Sequence, residues 1–322
     1  MRRRNLVRML LSAGAAVVSS GVGAAPRKYR FMVGTGGSGG EAYRWGAAAA
    51  KVVNEFAPDV QLTAQLTSGS GENLVRLRAG TLQMGASSNE LNWEMSTGAG
   101  RLPRYDVRAL FAMYRGDWHW ACRAKFPGST IYDFKGKRVS FGPKGGGSYE
   151  MLHYVFDALG LTFDYFNPRY LSVAESVDAL KDDAIDAYAV GIGTPSGAFL
   201  DLATIPGGIK LVSLSSADVG KSMQKYRFFS ETTIPANTYS GVATVTKGVG
   251  RWHFLVARPD LPDAAAYQIA RALSEHQREL VAIMRAARQS IPEATIADSV
   301  VPLHEGVGRY FREKGYLEKR QG

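Results

Sequence analysis

A glycine loop set between a strand and a helix constrains this chain more than any other stretch. Residues 31–33 (Phe-Met-Val) read as a short buried strand, and Gly34-Thr-Gly-Gly-Ser-Gly-Gly40 follows with five glycines in seven positions. Ala42, Trp45, Ala49, Val52, Val53 and Phe56 then recur at helical spacing. A helix that begins this way presents unpaired backbone N–H groups and the positive end of its dipole, a combination that attracts carboxylates and phosphates. Positions without a Cβ also let a ligand approach the backbone closely. The device recurs: residues 138–141 read as a strand, Gly142-Pro-Lys-Gly-Gly-Gly-Ser148 as a loop, and 149–159 as a helix that stops at Gly160.

Between the two, Val60-Gln-Leu-Thr-Ala-Gln-Leu66 alternates as a strand does, and Thr67-Ser-Gly-Ser-Gly-Glu-Asn73 opens a helix ending at Gly80. Ser70 is the expected N-cap, with Glu72 in the first turn. Residues 84–88 read as a buried strand and 89 begins the next helix. This βαβαβ succession predicts a parallel sheet with right-handed crossovers, and ligand-binding loops at one end of it. Further strands are expected at 107–114, 118–123, 185–191, 209–214, 238–246 and 253–257. Helices are expected at 217–228 and 306–315, with one long amphipathic helix over 263–287. The pattern predicts an α/β fold: a hinged clamshell, each lobe a mainly parallel sheet flanked by helices. One lobe takes 26–115 plus 250–322 and the other 116–249.

Residues 1–25 read as an export signal. Arg2, Arg3, Arg4 and Arg8 form a positive start, 9–18 is a short apolar run, and small residues follow at 22–25. The Arg3-Arg4 pair leaves both the general secretory and the twin-arginine routes open. Loss of those four arginines lowers the formal net charge from +10 to +6. The remaining basic residues are scattered rather than striped, which argues against nucleic acid and for small anions. Cys122 is the one cysteine, so no intrachain disulfide forms. In an exported chain that points to a bacterial periplasm, and its place in Trp118-His-Trp-Ala-Cys122 marks a buried apolar position. The remaining length, roughly 300 residues, fits two domains.

Gly34, Gly36 and Gly39 satisfy G-x-G-x-x-G, but the next strand ends Leu66-Thr67-Ser68 without the acid that would hold a ribose. Gly142 to Ser148 lacks the G-K-[ST] ending of a phosphate-binding Walker loop. His119, His153, His253, His276 and His304 are nowhere paired at helical spacing, and no H-E-x-x-H occurs. Asp182, Asp183 and Asp186 surround a turn. No catalytic residue, metal or cofactor is expected. What remains is binding by several loop–helix starts that converge on one cleft: 36–39, 70–73 and 145–148.

With Gly34-Thr-Gly-Gly-Ser-Gly-Gly40 and Tyr43, Gly69-Ser-Gly-Glu-Asn73, Leu77-Arg-Ala-Gly80, Asp133-Phe-Lys-Gly-Lys-Arg-Val139, Gly142-Pro-Lys-Gly-Gly-Gly-Ser148, Ile185-Asp-Ala187, Gly193-Thr-Pro195 and Asn237-Thr-Tyr239, the chain resembles the TAXI family of TRAP-transporter solute-binding proteins. The likeness runs over about 29–287. It implies a two-lobe periplasmic binding protein that closes on a small organic anion, a dicarboxylate or glutamate-like, and docks on a TRAP permease in the inner membrane. A monomer is expected. A ligand sensor signalling to a membrane kinase is the alternative. By matching position the resemblance implies a cleft lined by Thr35, Gly36, Gly37, Tyr43, Ser70, Glu72, Asn73, Ser148, Gly193 and Thr194, with Ser88, Asn89, Gly146, Gly147 and Tyr239 beside them. Ser87-Ser88-Asn89 stands where the family often has Gln-Ser-Asp, and Gly147-Ser148 where it has Gly-Thr. Loss of that acid removes a partner for a ligand ammonium, so the expected ligand is a carboxylate without an amine.

Overall fold

A computed structural model describes residues 28–100 and 102–318; the export signal expected over 1–25 lies outside them. The opening βαβαβ is present as read. β1 (Tyr29–Gly34) pairs in parallel with β2 (Val60–Gln65) on one side and β3 (Met84–Ser88) on the other. α1 (Glu41–Phe56) forms because Trp45, Ala48, Ala49, Val52 and Val53 fall on one face, and all five are buried. α2 (Ser70–Arg78) and α3 (Asn89–Thr97) follow β2 and β3.

Two long strands then carry the architecture. β4 (Arg108–Arg123) and β10 (Thr246–Ala257) run antiparallel to one another. The second half of β10 pairs with β3 from His253 to Ala257, while its first half pairs with β9 (Ser230–Ile234). β4 likewise leaves β10 to pair through Asp117–Cys122 with β7 (Ala187–Ile192) and through Ala121–Arg123 with β8 (Ile209–Leu211). β5 (Arg138–Ser140) lies parallel to both β7 and β6 (Asn167–Arg169). The result is one curled mixed sheet in the order β2-β1-β3-β10-β4-β7-β5-β6, flanked by helices. The segments expected at 107–114 and 118–123 are thus a single strand, and parallel pairing is confined to its two ends.

α4 (Gly147–Leu159), α5 (Val173–Lys181), α6 (Gly197–Leu202) and α7 (Ser216–Lys225) cover the β5–β8 side. Apolar cores lie on both sides of the long strands. One gathers Trp45, Val53, Leu62, Phe111, Ile269, Leu273 and Phe311. The other is aromatic, with Trp120 against Phe134, Phe141, Phe156 and Phe166. Cys122 is fully buried there, and burial pushes its thiol up to about 12, an unreactive apolar filler.

Two expected elements differ. The helix read over 263–287 breaks at His276, giving α8 (Asp263–Glu275), α9 (Gln277–Ile283) and a 3-10 turn at 285–289. No Gly or Pro marks the break; the His276 ring leaves the helix line and stacks on Phe56 of α1. The strand read over 238–246 is a turn, in which Asn237 takes a left-handed φ of 61° and its N–H donates to the Val242 carbonyl. Its alternating small polar residues mimic a strand, but only Thr246 joins β10. The chain ends in α10 (Pro292–Asp298) and α11 (Glu305–Glu313), whose Val307, Tyr310 and Phe311 pack on the first core. Among the described residues no helix is long and apolar enough to cross a membrane.

Candidate ligand cleft

The loops before α1, α2 and α4 meet. A cavity of about 120 Å³ is lined by Thr35, Gly36, Gly37, Gly40 and Glu41 from the first, by Ser68, Gly69 and Ser70 from the second, and by Gly142, Pro143, Gly146, Gly147 and Ser148 from the third. Tyr114 of β4, Tyr188, Val190, Gly191 and Ile192 of β7, His253 of β10 and Val173 complete the wall. That volume holds several waters, hence a small organic molecule rather than a folded partner. The first-turn N–H groups of all three helices have no intrahelical acceptor, so the cavity is rich in backbone donors.

The facing loops nearly touch. A methyl group at Gly69 would lie 3.8 Å from the Gly146 Cα, and one at Gly71 would lie 3.3 Å from the Gly145 carbonyl oxygen. Gly69 has a φ of 122°, which only glycine adopts without strain, and it rather than Ser70 is the N-cap of α2. The five glycines of 34–40 divide by role. A side chain at Gly34 would collide with Asn73 and Leu82, so that position serves packing. Gly37 meets nothing within 4 Å and faces open space.

Of the residues expected in the cleft, Thr35, Gly36, Gly37, Ser70, Gly146, Gly147 and Ser148 lie on this wall. Thr35 spends its hydroxyl on the Gln65 carbonyl at 2.7 Å, and Ser148 donates to the Gly191 carbonyl at 3.2 Å. The others lie elsewhere. Asn73 is fully buried behind the first loop, where its amide donates to the Thr35 and Ala86 carbonyls at 2.8 Å each and clamps β1 to β3. The Glu72 carboxylate turns back to accept from the Ser68 N–H at 2.7 Å and the Ser68 hydroxyl, which holds its acid below the usual range. Tyr43 is half-buried on α1 outside the wall. Ser88 is buried at the start of α3, and Asn89 donates to the Asp298 carbonyl at 2.7 Å. Gly193 and Thr194 sit one step past Ile192, before a cis Thr194–Pro195 bond. Tyr239 is a core residue whose hydroxyl meets His119 Nε2 at 2.8 Å and accepts from the Ser196 N–H at 3.0 Å.

Sequence reasoning missed the floor and one corner. His253 sits with its ring 4.6 Å from that of Tyr114; burial, helped by the Arg251 charge, pulls it well below its ordinary value, so it is neutral. Arg251 is fully buried beneath Gly147. Its Nε donates to Glu90 Oε1 at 2.9 Å, while Nη2 has no hydrogen-bond partner and lies 3.1 Å from where a Gly147 methyl would be. Gly116 and Gly191 leave the space that this guanidinium fills. Glu41, the first residue of α1, is 7 % exposed; burial pushes its acid up to about 7, and the Arg44 charge opposes the rise. Its place directly after the glycine loop was the available signal. Gly36-Gly37-Ser38-Gly39-Gly40 also has the G-x-S-x-G spacing of a hydrolase nucleophile turn. Ser38 is exposed, lies outside the wall and makes no hydrogen bond to a histidine among the described residues. No cluster of metal-ligating side chains occurs among the described residues.

Solved structures share this architecture at low identity. The periplasmic binding protein BugD matches with a TM-score of 0.53 at 13 % identity, covering 91 % of this chain and 97 % of that one. MatC from Rhodopseudomonas palustris, with bound malate, matches with a TM-score of 0.52 at 14 % identity over 90 % and 97 %. A protein of Bordetella bronchiseptica matches with a TM-score of 0.55 at 15 % identity over 89 % and 98 %. The fold is that of the periplasmic solute-binding proteins. Residues 33–315 match the model of the NMT1-like family, and the chain belongs to that family.

Proposed function

We propose that this protein is an exported solute receptor that closes on a small organic anion and delivers it to a membrane permease. One observation carries the reading: the N-termini of α1 and α2 from the β1–β3 side, and of α4 from the β5–β7 side, open on a single glycine-lined cavity. A partly buried helix terminus contributes up to ~2 kcal/mol to a bound anion. Charge-assisted hydrogen bonds add roughly 1.5–3 kcal/mol each. Set against the cost of closure, these support an affinity near micromolar, about 8 kcal/mol. The ligand is a dicarboxylate or a glutamate-like acid; MatC, of the same fold, holds malate. The more specific part of the proposal rests on the glycine motifs at 34–40, 69–73 and 142–148: the receptor belongs to the TAXI branch and serves a TRAP-type permease as a monomer, without catalysis.

Calorimetric titration of the purified protein against dicarboxylates, keto acids and amino acids tests this. At least one acid should give saturable heat, and Ser70→Ala and Ser148→Ala should each weaken it by about 5- to 150-fold with folding intact. Heat from a neutral sugar and from no acid rejects the anion reading. Unchanged affinity in both variants removes those hydroxyls from the site.

A further inference from the structure

The cavity is not uniformly a donor site. Glu41, a residue 7 % exposed, brings a carboxyl group to the α1 corner of the cavity, and no hydrogen bond to that carboxyl occurs among the described residues. An ionised carboxylate is an acceptor only, and a second anion placed beside it is repelled. The groups that face it are Arg44 of its own helix, the Tyr114 hydroxyl of β4 and, more remotely, Tyr239. Arg44 reaches toward α6, where its Nη1 lies 3.3 Å from the position of a methyl at Gly197. A positive charge from within the chain therefore sits nearby without bonding the carboxylate. Its burial also pushes the acid up to about 7, as expected of a carboxylate that no donor satisfies.

A purely anionic diacid could lie against this group only if the carboxyl took up a proton. A ligand with an acid at one end and a charged donor at the other would satisfy both ends of the cavity. We propose that Glu41 is the specificity-determining residue of the cleft and selects a zwitterion of the amino-acid class. The ligand ammonium group sits on the Glu41 carboxylate, and its carboxylate sits at the first turns of α2 and α4. This rests on the reading of the cavity as an anion receptor, and it replaces the amine-free ligand expected from the neutral Asn89.

Matched pairs that differ only in ammonium against hydroxyl test it. The twenty proteinogenic amino acids are titrated by calorimetry, with L-malate beside L-aspartate and L-2-hydroxyisocaproate beside L-leucine. At least one amino acid should bind about tenfold or more tightly than its hydroxy acid, as a charge-assisted contact requires. Glu41→Gln should lose that preference by weakening the amino acid about tenfold, while the hydroxy acid stays within about threefold or improves. Glu41→Asp, which keeps the charge, should retain part of the preference and guards against a folding defect in the first variant. Equal or tighter binding of the hydroxy acids, or a preference that survives Glu41→Gln, overturns the inference and leaves the anion receptor standing. Silence from every amino acid, with heat from hydroxy or keto acids, does the same. Silence from all acids brings down both readings.

Discussion

The buried Glu41 carboxyl should cost the ligand-free protein stability, and the cost can be worked out. Its acid moves from 4.5 to about 7, chiefly by burial. Each unit is worth about 1.36 kcal/mol, so keeping the group ionised in the folded state costs about 3 kcal/mol. An acid in the first turn of α1 gains about 0.3–1 kcal/mol from the helix dipole, too little to offset that. The folded state holds the Glu41 proton to a higher pH than the unfolded chain does. Stability from this group is therefore full below pH 4.5, falls as pH rises through the window from 4.5 to about 7, and is lost above it. His253 and His119, both pulled down by burial, add a step of opposite sign below about pH 6.5, but wild type and variant share it and it cancels in their difference. Glu41→Gln removes the proton linkage. Thermal and urea unfolding of the ligand-free proteins should show the variant about 2–3 kcal/mol more stable at pH 8, a gain of several degrees, with the gap closing toward pH 5. A variant equal to or weaker than wild type at pH 8, or a gap that does not change with pH, refutes the argument.

Two structural predictions stand apart from any ligand. Asn73→Ala removes the two amide donations, to the Thr35 and Ala86 carbonyls, that hold β1 to β3. Urea unfolding should give a loss of about 2–4 kcal/mol, and no loss would return Asn73 to the list of ligand residues. Arg251→Met leaves Glu90 as a lone buried charge and should cost about 3–5 kcal/mol, while Arg251→Met with Glu90→Leu should recover much of it. A double variant as unstable as the single one would mean that the pair is not the source of the loss.

The α/β class, the opening parallel unit and the strand–glycine loop–helix device at 34–40 and again at 142–148 were legible in the amino-acid order, because each depends on neighbours a few residues apart. A strand into a glycine loop into an apolar helical stripe leaves few folds to choose from, and helix-start N–H groups follow from backbone geometry alone. The tertiary structure decided what depends on distant partners. Asn73 became a clamp rather than a ligand contact because β1 and β3 present carbonyls on both sides of it. Residues 108–123 became one strand because β10 and β7 pair with its two halves. Glu41 became a largely buried acid only where Tyr114 of β4 and residues 188–192 of β7 share a cavity wall with the start of α1. Hydration and charge at a site depend on which surfaces meet across more than a hundred residues of chain, and that separation is invisible to local pattern.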